Sequence, residues 1–375
     1  MGYEDREPDS SELAKMKQEL RDALESGAFG MSSGLVYPPG CYAKTDELII
    51  LCKIVREHNG IYATHMRDEG NELETALNET INISKESGVK TQISHIKTWG
   101  QKNWWKIDKI ENLLKNARAE DIKITCDRYP YTAAATDLDI ILPDWVYEGG
   151  ASKEKTRLED PLCRERIIKE MEQEGVSEEF WGTIMISSVF NKEQRHYEGK
   201  TIAEISNVLK IPSIEFVLDL LYQEDCRVGV IFFNMSEENL ARILKWDFVM
   251  AGSDSSLRSL KGILNYGKPH PRGYGTFSRI IRKYVNETSI LSIEEAIYKM
   301  TGLPSQTLGL KYRGLLKEGF FADITIFDQR TISEQATFAI PHNYSTGIKH
   351  VLVNGKLTVK NGQHKNIMNG AVLKS

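Results

Sequence analysis

His65 and His95 each close a short apolar, β-branched run, IYATH at 61–65 and TQISH at 91–95. A strand-end imidazole is either a buried, satisfied core group or a ligand, and a single one more often packs than coordinates. Two of them ending consecutive strand-like segments open the second reading, two nitrogen ligands of one metal ion. Asp254, in DFVMAGSDSS, also follows an apolar run, and a carboxylate there can act as a general base or cap the next turn. Met31-Ser32-Ser33 and Asp127-Arg128 occupy equivalent places. The chemistry therefore collects at the carboxyl ends of apolar runs. Three such groups together favour a site over three unrelated packing residues.

The elements that must position these groups alternate. DSSELAKMKQELRDALESG carries capping residues at Asp9, Ser10 and Ser11, an apolar face at Leu13, Met16, Leu20 and Leu24, and a stop at Gly27. KTDELIILCKIVREHNG predicts a second helix, capped by Thr45 and closed by Asn59-Gly60. NELETALNETINISKESG and WKIDKIENLLKNARAED predict two more, with IYATHM, VKTQISHIK and IKITCDRYPY as the strands between and after them. Helix–strand alternation with short connections and strands apolar on both faces predicts a parallel sheet covered by helices. No GxGxxG or GxxxxGK[ST] marks a strand-to-helix turn, which disfavours a nucleotide-binding doubly wound sheet. A (β/α)₈ TIM-like barrel is expected, because there the strand ends converge above one face.

The alternation breaks over about 132–200, which reads as an insertion on a barrel loop, a common place for a substrate lid. The barrel is assigned to 1–312. Residues 313–375 form a small β domain, where GFFADITIFD, GIKHVLVNGKLTVKNG and GAVLKS read as short strands joined by Asn-Gly turns.

Composition narrows the partners. The 375 residues are 41% hydrophobic and 27% charged, with formal net charge −5. That balance gives no electrostatic reason to expect nucleic acid or an anionic membrane. No apolar run is long enough for a membrane-spanning helix. Cys41, Cys52, Cys126, Cys163 and Cys226 form no CxxC pair and read as reduced thiols of a cytoplasmic protein. His270 in KPHPRGYG reads as a loop histidine, with an active-site loop as the alternative, and Trp99, Trp104 and Trp105 as helix packing or a pocket wall.

Several segments together, GAFGMSSGLVYPPG, ATHMRDEG, ISHIK, DRYPYTAAATDL, AGSDSS, HPRGYGTFSRII and LKEGFFADITIFD, resemble the D-aminoacylase (N-acyl-D-amino-acid deacylase) branch of the amidohydrolase superfamily. The resemblance implies that His65 and His95 are zinc ligands, that Asp254 is the catalytic base, and that Tyr37 and Lys97 lie near substrate. It implies zinc-dependent hydrolysis of a small-molecule N-acyl-D-amino acid to a carboxylate and a D-amino acid. One departure matters. The family's first barrel strand ends in His-x-His and is followed by a ligand cysteine, and no HxH occurs here. Cys41, Cys52 and Cys126 do not match that cysteine. The barrel is therefore expected to be incomplete at its N-terminus, with open sheet edges and a complementing N-terminal segment as a partner. Two alternatives stay open: a remnant that binds ligand or partner without turnover, and a different amidohydrolase acting on cyclic amides.

Overall fold

The computed structural model describes residues 1–173 and 176–375. α1 (Ser10–Glu25) begins on Asp9, whose carboxylate accepts the Ser11 and Glu12 N–H groups while Glu12 reaches back to Asp9, a reciprocal cap. β1 (Gly30–Gly34), α2 (Thr45–Glu57), β2 (Ile61–His65), α3 (Leu73–Ser87), β3 (Lys90–Ile93), α4 (Ile107–Ala119) and β4 (Ile124–Arg128) follow the expected order. Thr45 is not the cap expected of it. It is the first residue of α2, and its hydroxyl donates to Glu79 Oε1 of α3 at 2.8 Å. α3 stops at Gly88 in the left-handed region, as a C-terminal glycine allows.

Beyond β4 the chain leaves the alternation through β5 (Ala134–Asp137), α5 (Ala151–Glu159), α6 (Pro161–Gln173), α7 (Glu178–Gly182), β6 (Ile184–Ser188), α8 (Ile202–Leu209), α9 (Ser213–Gln223) and β7 (Gly229–Phe232). The three strands form an antiparallel sheet in the order β5-β7-β6. Helices pack on it around Leu158, Ile167, Ile184, Val217, Leu221 and Val230, all fully buried. The excursion thus runs further than the break over 132–200 indicated, because its central strand comes from 229–232. RVGVIFFN pairs with strands that flank a long helical stretch, and such partners are invisible to local periodicity.

α10 (Glu237–Lys245) then returns the chain to β8 (Val249–Ala251), which pairs with β4. The main sheet is parallel throughout, in the order β1-β2-β3-β4-β8. α2, α3 and α4 cover its outer face with Cys52, Val55, Leu77, Ile110 and Leu114, which are buried against Tyr62, Ile93, Ile124 and Cys126. Each fully buried aliphatic side chain stabilises this layer by about 1.5–3 kcal/mol. β1 and β8 each have one strand neighbour among the described residues, so the barrel-type sheet is open at both. No helix among the described residues is long and apolar enough to cross a membrane.

α11 (Arg272–Arg279) continues into π-helical turns over Ile280–Glu287, followed by α12 (Ile293–Met300) and α13 (Gly302–Thr307). Lys299 of α12 is buried, and its Nζ donates to Trp246 O and Val249 O (2.5 and 3.0 Å), tying the helix to the entry of β8. Burial lowers the Lys299 pKa to about 8 from an ordinary 10.5. The folded state therefore binds fewer protons than the unfolded chain between those values, and stability gains a rising contribution with pH across that window. Denaturant unfolding from pH 8 to 10.5 should show this slope flattened in Lys299→Met.

The chain ends in β9 (Ile324–Phe327), β10 (Ile348–Val353), β11 (Lys356–Lys360) and β12 (Gln363–His364), an antiparallel sheet in the order β12-β11-β10-β9. Asn354-Gly355 and Asn361-Gly362 have positive φ at both positions, the geometry of two-residue hairpin loops. GAVLKS, expected as a strand, forms none. Its Ser375 N–H instead donates to Gly27 O at 3.2 Å, outside the sheet.

Candidate active site

Parallel register brings the strand ends together. Gly34 of β1 lies beside His65, Thr64 beside Ile93, and Arg128 beside Ala251. His65 ends β2, and His95 sits in the turn two residues past β3. Their rings meet edge-on with centroids 4.4 Å apart. The two histidines expected to share a site are thus neighbours.

The loop after His65 supplies a third group that the sequence reading missed. In MRDEG, Arg67 turns away to Glu79 and to the Cys41 and Ala43 carbonyls. Asp68 accepts the Gly70 and Glu72 N–H groups and so builds the turn. Glu69 points inward and is buried, with Oε2 3.5 Å from His65 Nε2 and Oε1 3.0 Å from His95 Nδ1. His65, Glu69 and His95 each offer a ligand atom, all within 4.8 Å of one another. The only sequence signal for Glu69 was an acid four residues after a strand-end histidine, and Asp68 beside it was an equal candidate.

Lys97 is no solvated lysine. It is buried, and its Nζ donates to Glu69 Oε1 at 2.5 Å and faces His95 Nδ1 at 2.7 Å. Glu69 and His95 thus both meet the Lys97 Nζ. Burial pushes the Glu69 carboxyl up, but the Lys97 ammonium and the two imidazoles outweigh it and hold the group well below the usual range. Burial pushes the His65 imidazole down to about 4, so near neutral pH it presents a lone pair. Two imidazoles and a carboxylate at this spacing match the donor chemistry of a divalent metal such as zinc.

Tyr37 lies in the loop after β1, its ring 5.0 Å from His65 and its hydroxyl 2.8 Å from Thr136 Oγ1 of β5. Burial raises the phenol, which stays protonated and able to donate. Asp254 follows β8 with a positive φ, its side chain 37% exposed, and stands outside the His–Glu–His group. Its Oδ2 accepts from Arg272 Nη1 at 2.8 Å. Arg272, from HPRGYG, was not singled out from the sequence. It is buried, lies over the Tyr129 ring at 4.6 Å and donates to Ala135 O of β5. His270 accepts the Arg272 N–H on Nδ1 and donates from Nε2 to Ala133 O, a satisfied loop histidine as expected. Tyr37 and Arg272 therefore reach β5, and His270 reaches Ala133 just before it. Trp99 packs on Phe232 and Trp104 donates to Asn234 O, in keeping with a packing role.

A parallel barrel-type sheet with histidines and an aspartate at its carboxyl ends is the architecture of metal-dependent amidohydrolases, and residues 198–359 match the amidohydrolase family model. The chain is 33% identical over 344 residues to D-aminoacylase of Alcaligenes xylosoxydans xylosoxydans, covering 92% of this chain and 61% of that protein. A solved D-aminoacylase structure, described for its binuclear metal center, superposes with TM-score 0.81 at 31% identity, covering 100% of this chain and 69% of that one. N-acyl-D-glutamate deacylase from Bordetella bronchiseptica, complexed with zinc and a phosphonate mimic of the tetrahedral intermediate, gives 0.79 at 28% identity, covering 98% and 67%. The chain belongs to the amidohydrolase superfamily, in its D-aminoacylase branch. It spans about three fifths of the length of the curated relatives it matches.

Proposed function

We propose that this chain carries the metal and proton-transfer half of an N-acyl-D-amino-acid deacylase site. The observation that supports it best is the group of His65, Glu69 and His95 ligand atoms within 4.8 Å of one another, in the same parallel sheet whose β8 leads into the Asp254–Arg272 pair. His65 and His95 would hold a zinc ion, with Glu69 as the third donor. A bound ion of this kind supplies Lewis-acid activation of water and of the scissile carbonyl. Asp254 accepts the proton of the attacking water and returns it to the amide nitrogen, which must be protonated to leave. Tyr37 donates to the carbonyl oxygen, and Lys97 offers positive charge to that oxygen or to the substrate carboxylate. Products are a carboxylic acid and a D-amino acid.

The reading includes a partner. β1 and β8 are open on one side each, and an eight-stranded barrel has room for three more parallel strands between them. A complementing segment that brings those strands would close the site and add ligands. In this reading residues 1–312 form the barrel unit with its excursion, and 313–375 the small β domain. Five free cysteines suit a reducing, cytoplasmic setting.

The open sheet favours one second reading, a chain that holds metal or ligand without turnover. Zinc content of the purified protein and hydrolysis of N-acetyl-D-methionine, each with and without a family-derived segment carrying the first barrel strands, separate the two. Zinc uptake with chelator-sensitive hydrolysis, in either arm, supports the deacylase. Zinc uptake with no turnover in either arm supports the non-catalytic reading, and absence of zinc uptake in both arms removes the metal site.

A further inference from the structure

His95 and Asp254 share an uncommon backbone state. Both are non-glycine residues in the left-handed region, with φ of 39° and 47°. Such a residue is strained and persists only where its surroundings hold it. One side chain touches the backbone of the first and the approach to the second. Asp127, the fourth residue of β4, accepts the His95 backbone N–H on Oδ1 at 2.9 Å. Its Oδ2 accepts from Gln92 Nε2 at 2.8 Å, and Gln92 Oε1 in turn accepts from Thr125 at 2.5 Å. On the other side the same carboxylate packs on Gly252, two residues before Asp254. A Cβ at Gly252 would lie 2.8 Å from Asp127 Oδ1, so only glycine lets β8 approach this closely.

We infer that Asp127 is a positioning residue that locks the His95 backbone and sets the spacing between the β3 and β8 strand ends, and so between His95 and Asp254. It acts through the acceptor oxygen it offers to the His95 amide. Its negative charge is not what the His95 N–H requires. The substitution Asp127→Asn keeps that acceptor, because Gln92 can turn its amide to accept from the new NH₂ group while its own NH₂ faces Thr125. The substitution Asp127→Ala leaves the His95 N–H without a partner. The inference rests on the metal-site reading only for its effect on zinc.

Two measurements on Asp127→Ala and Asp127→Asn test it. The first is hydrogen exchange of the His95 amide in metal-free protein. It should be protected in the wild type and in Asp127→Asn, and lose protection in Asp127→Ala. The second is zinc affinity by chelator competition. Asp127→Ala should bind about 10–100-fold more weakly, the usual cost of losing an outer partner of a ligand, and Asp127→Asn within about threefold of the wild type. Retained protection or unchanged affinity in Asp127→Ala would overturn the inference. So would an Asp127→Asn variant that loses as much as Asp127→Ala. If the wild type takes up no zinc, the metal-site reading fails, and the exchange result still decides whether Asp127 holds His95.

Discussion

Glu69→Ala is expected to destabilise the protein by about 3–5 kcal/mol, because it leaves the Lys97 ammonium buried without its carboxylate. Lys97 is 3% exposed and Glu69 7%, so water cannot replace the lost partner. His95 Nδ1 also faces Lys97, but an imidazole brings no negative charge to offset the ammonium. A loss of this size is a large share of a typical folding free energy. Denaturant unfolding of metal-free protein measures it. Adding Lys97→Met in the same background removes the stranded charge and should return most of the lost stability. If Glu69→Ala alone costs under about 1 kcal/mol, the range of an exposed pair, the cluster is not the closed ion pair described here.

Asp254→Asn is expected to lower deacylation by about 10²- to 10⁴-fold, the usual worth of a positioned general base. The substitution is nearly isosteric, and its amide oxygen can still accept from Arg272 Nη1. Arg272 is anchored independently, through its N–H to His270 and its guanidinium to Ala135 O. Zinc affinity should therefore change little while kcat falls, since Asp254 stands outside the His–Glu–His group. The assay is turnover of N-acetyl-D-methionine under the conditions that give wild-type activity. A kcat within about threefold of the wild type would assign the proton transfer to another group, and a parallel loss of zinc would make Asp254 a ligand.

Much of the main sheet was legible in the chain itself. Asp9 with Glu12 marks the start of α1, and Gly88 marks the end of α3. The strand-like segments IYATHM and IKITCDRYPY contain β2 and β4. These signals are local: helical and strand periods, caps and turn residues act within a few positions. The same locality explains why Asn354-Gly355 and Asn361-Gly362 predicted their hairpins. It also explains the errors. GAVLKS has strand-like composition but no ladder partner, and Thr45 bonds Glu79 of another helix instead of capping its own. The excursion could not be bounded from the sequence, because β7 pairs with β5 and β6 across the intervening helices α5 to α9, beyond the reach of local periodicity.

By itself the sequence placed two histidines at the ends of consecutive strand-like runs and an aspartate after a later one, within an alternation that predicts one parallel sheet. Only the tertiary structure decided which neighbours meet them. Asp68 and Glu69 are adjacent acids of equal promise, and the turn takes the first while the site takes the second. Lys97 is indistinguishable from a surface lysine in ISHIK, yet parallel packing of β2 and β3 buries it against Glu69. Arg272 reaches Asp254 across eighteen positions of chain, and Asp127 reaches the His95 amide across thirty-two. Strand ends follow from periodicity, which is a property of neighbouring residues. Ion pairs and backbone-locking hydrogen bonds depend on register between strands, and register exists only once the sheet has formed.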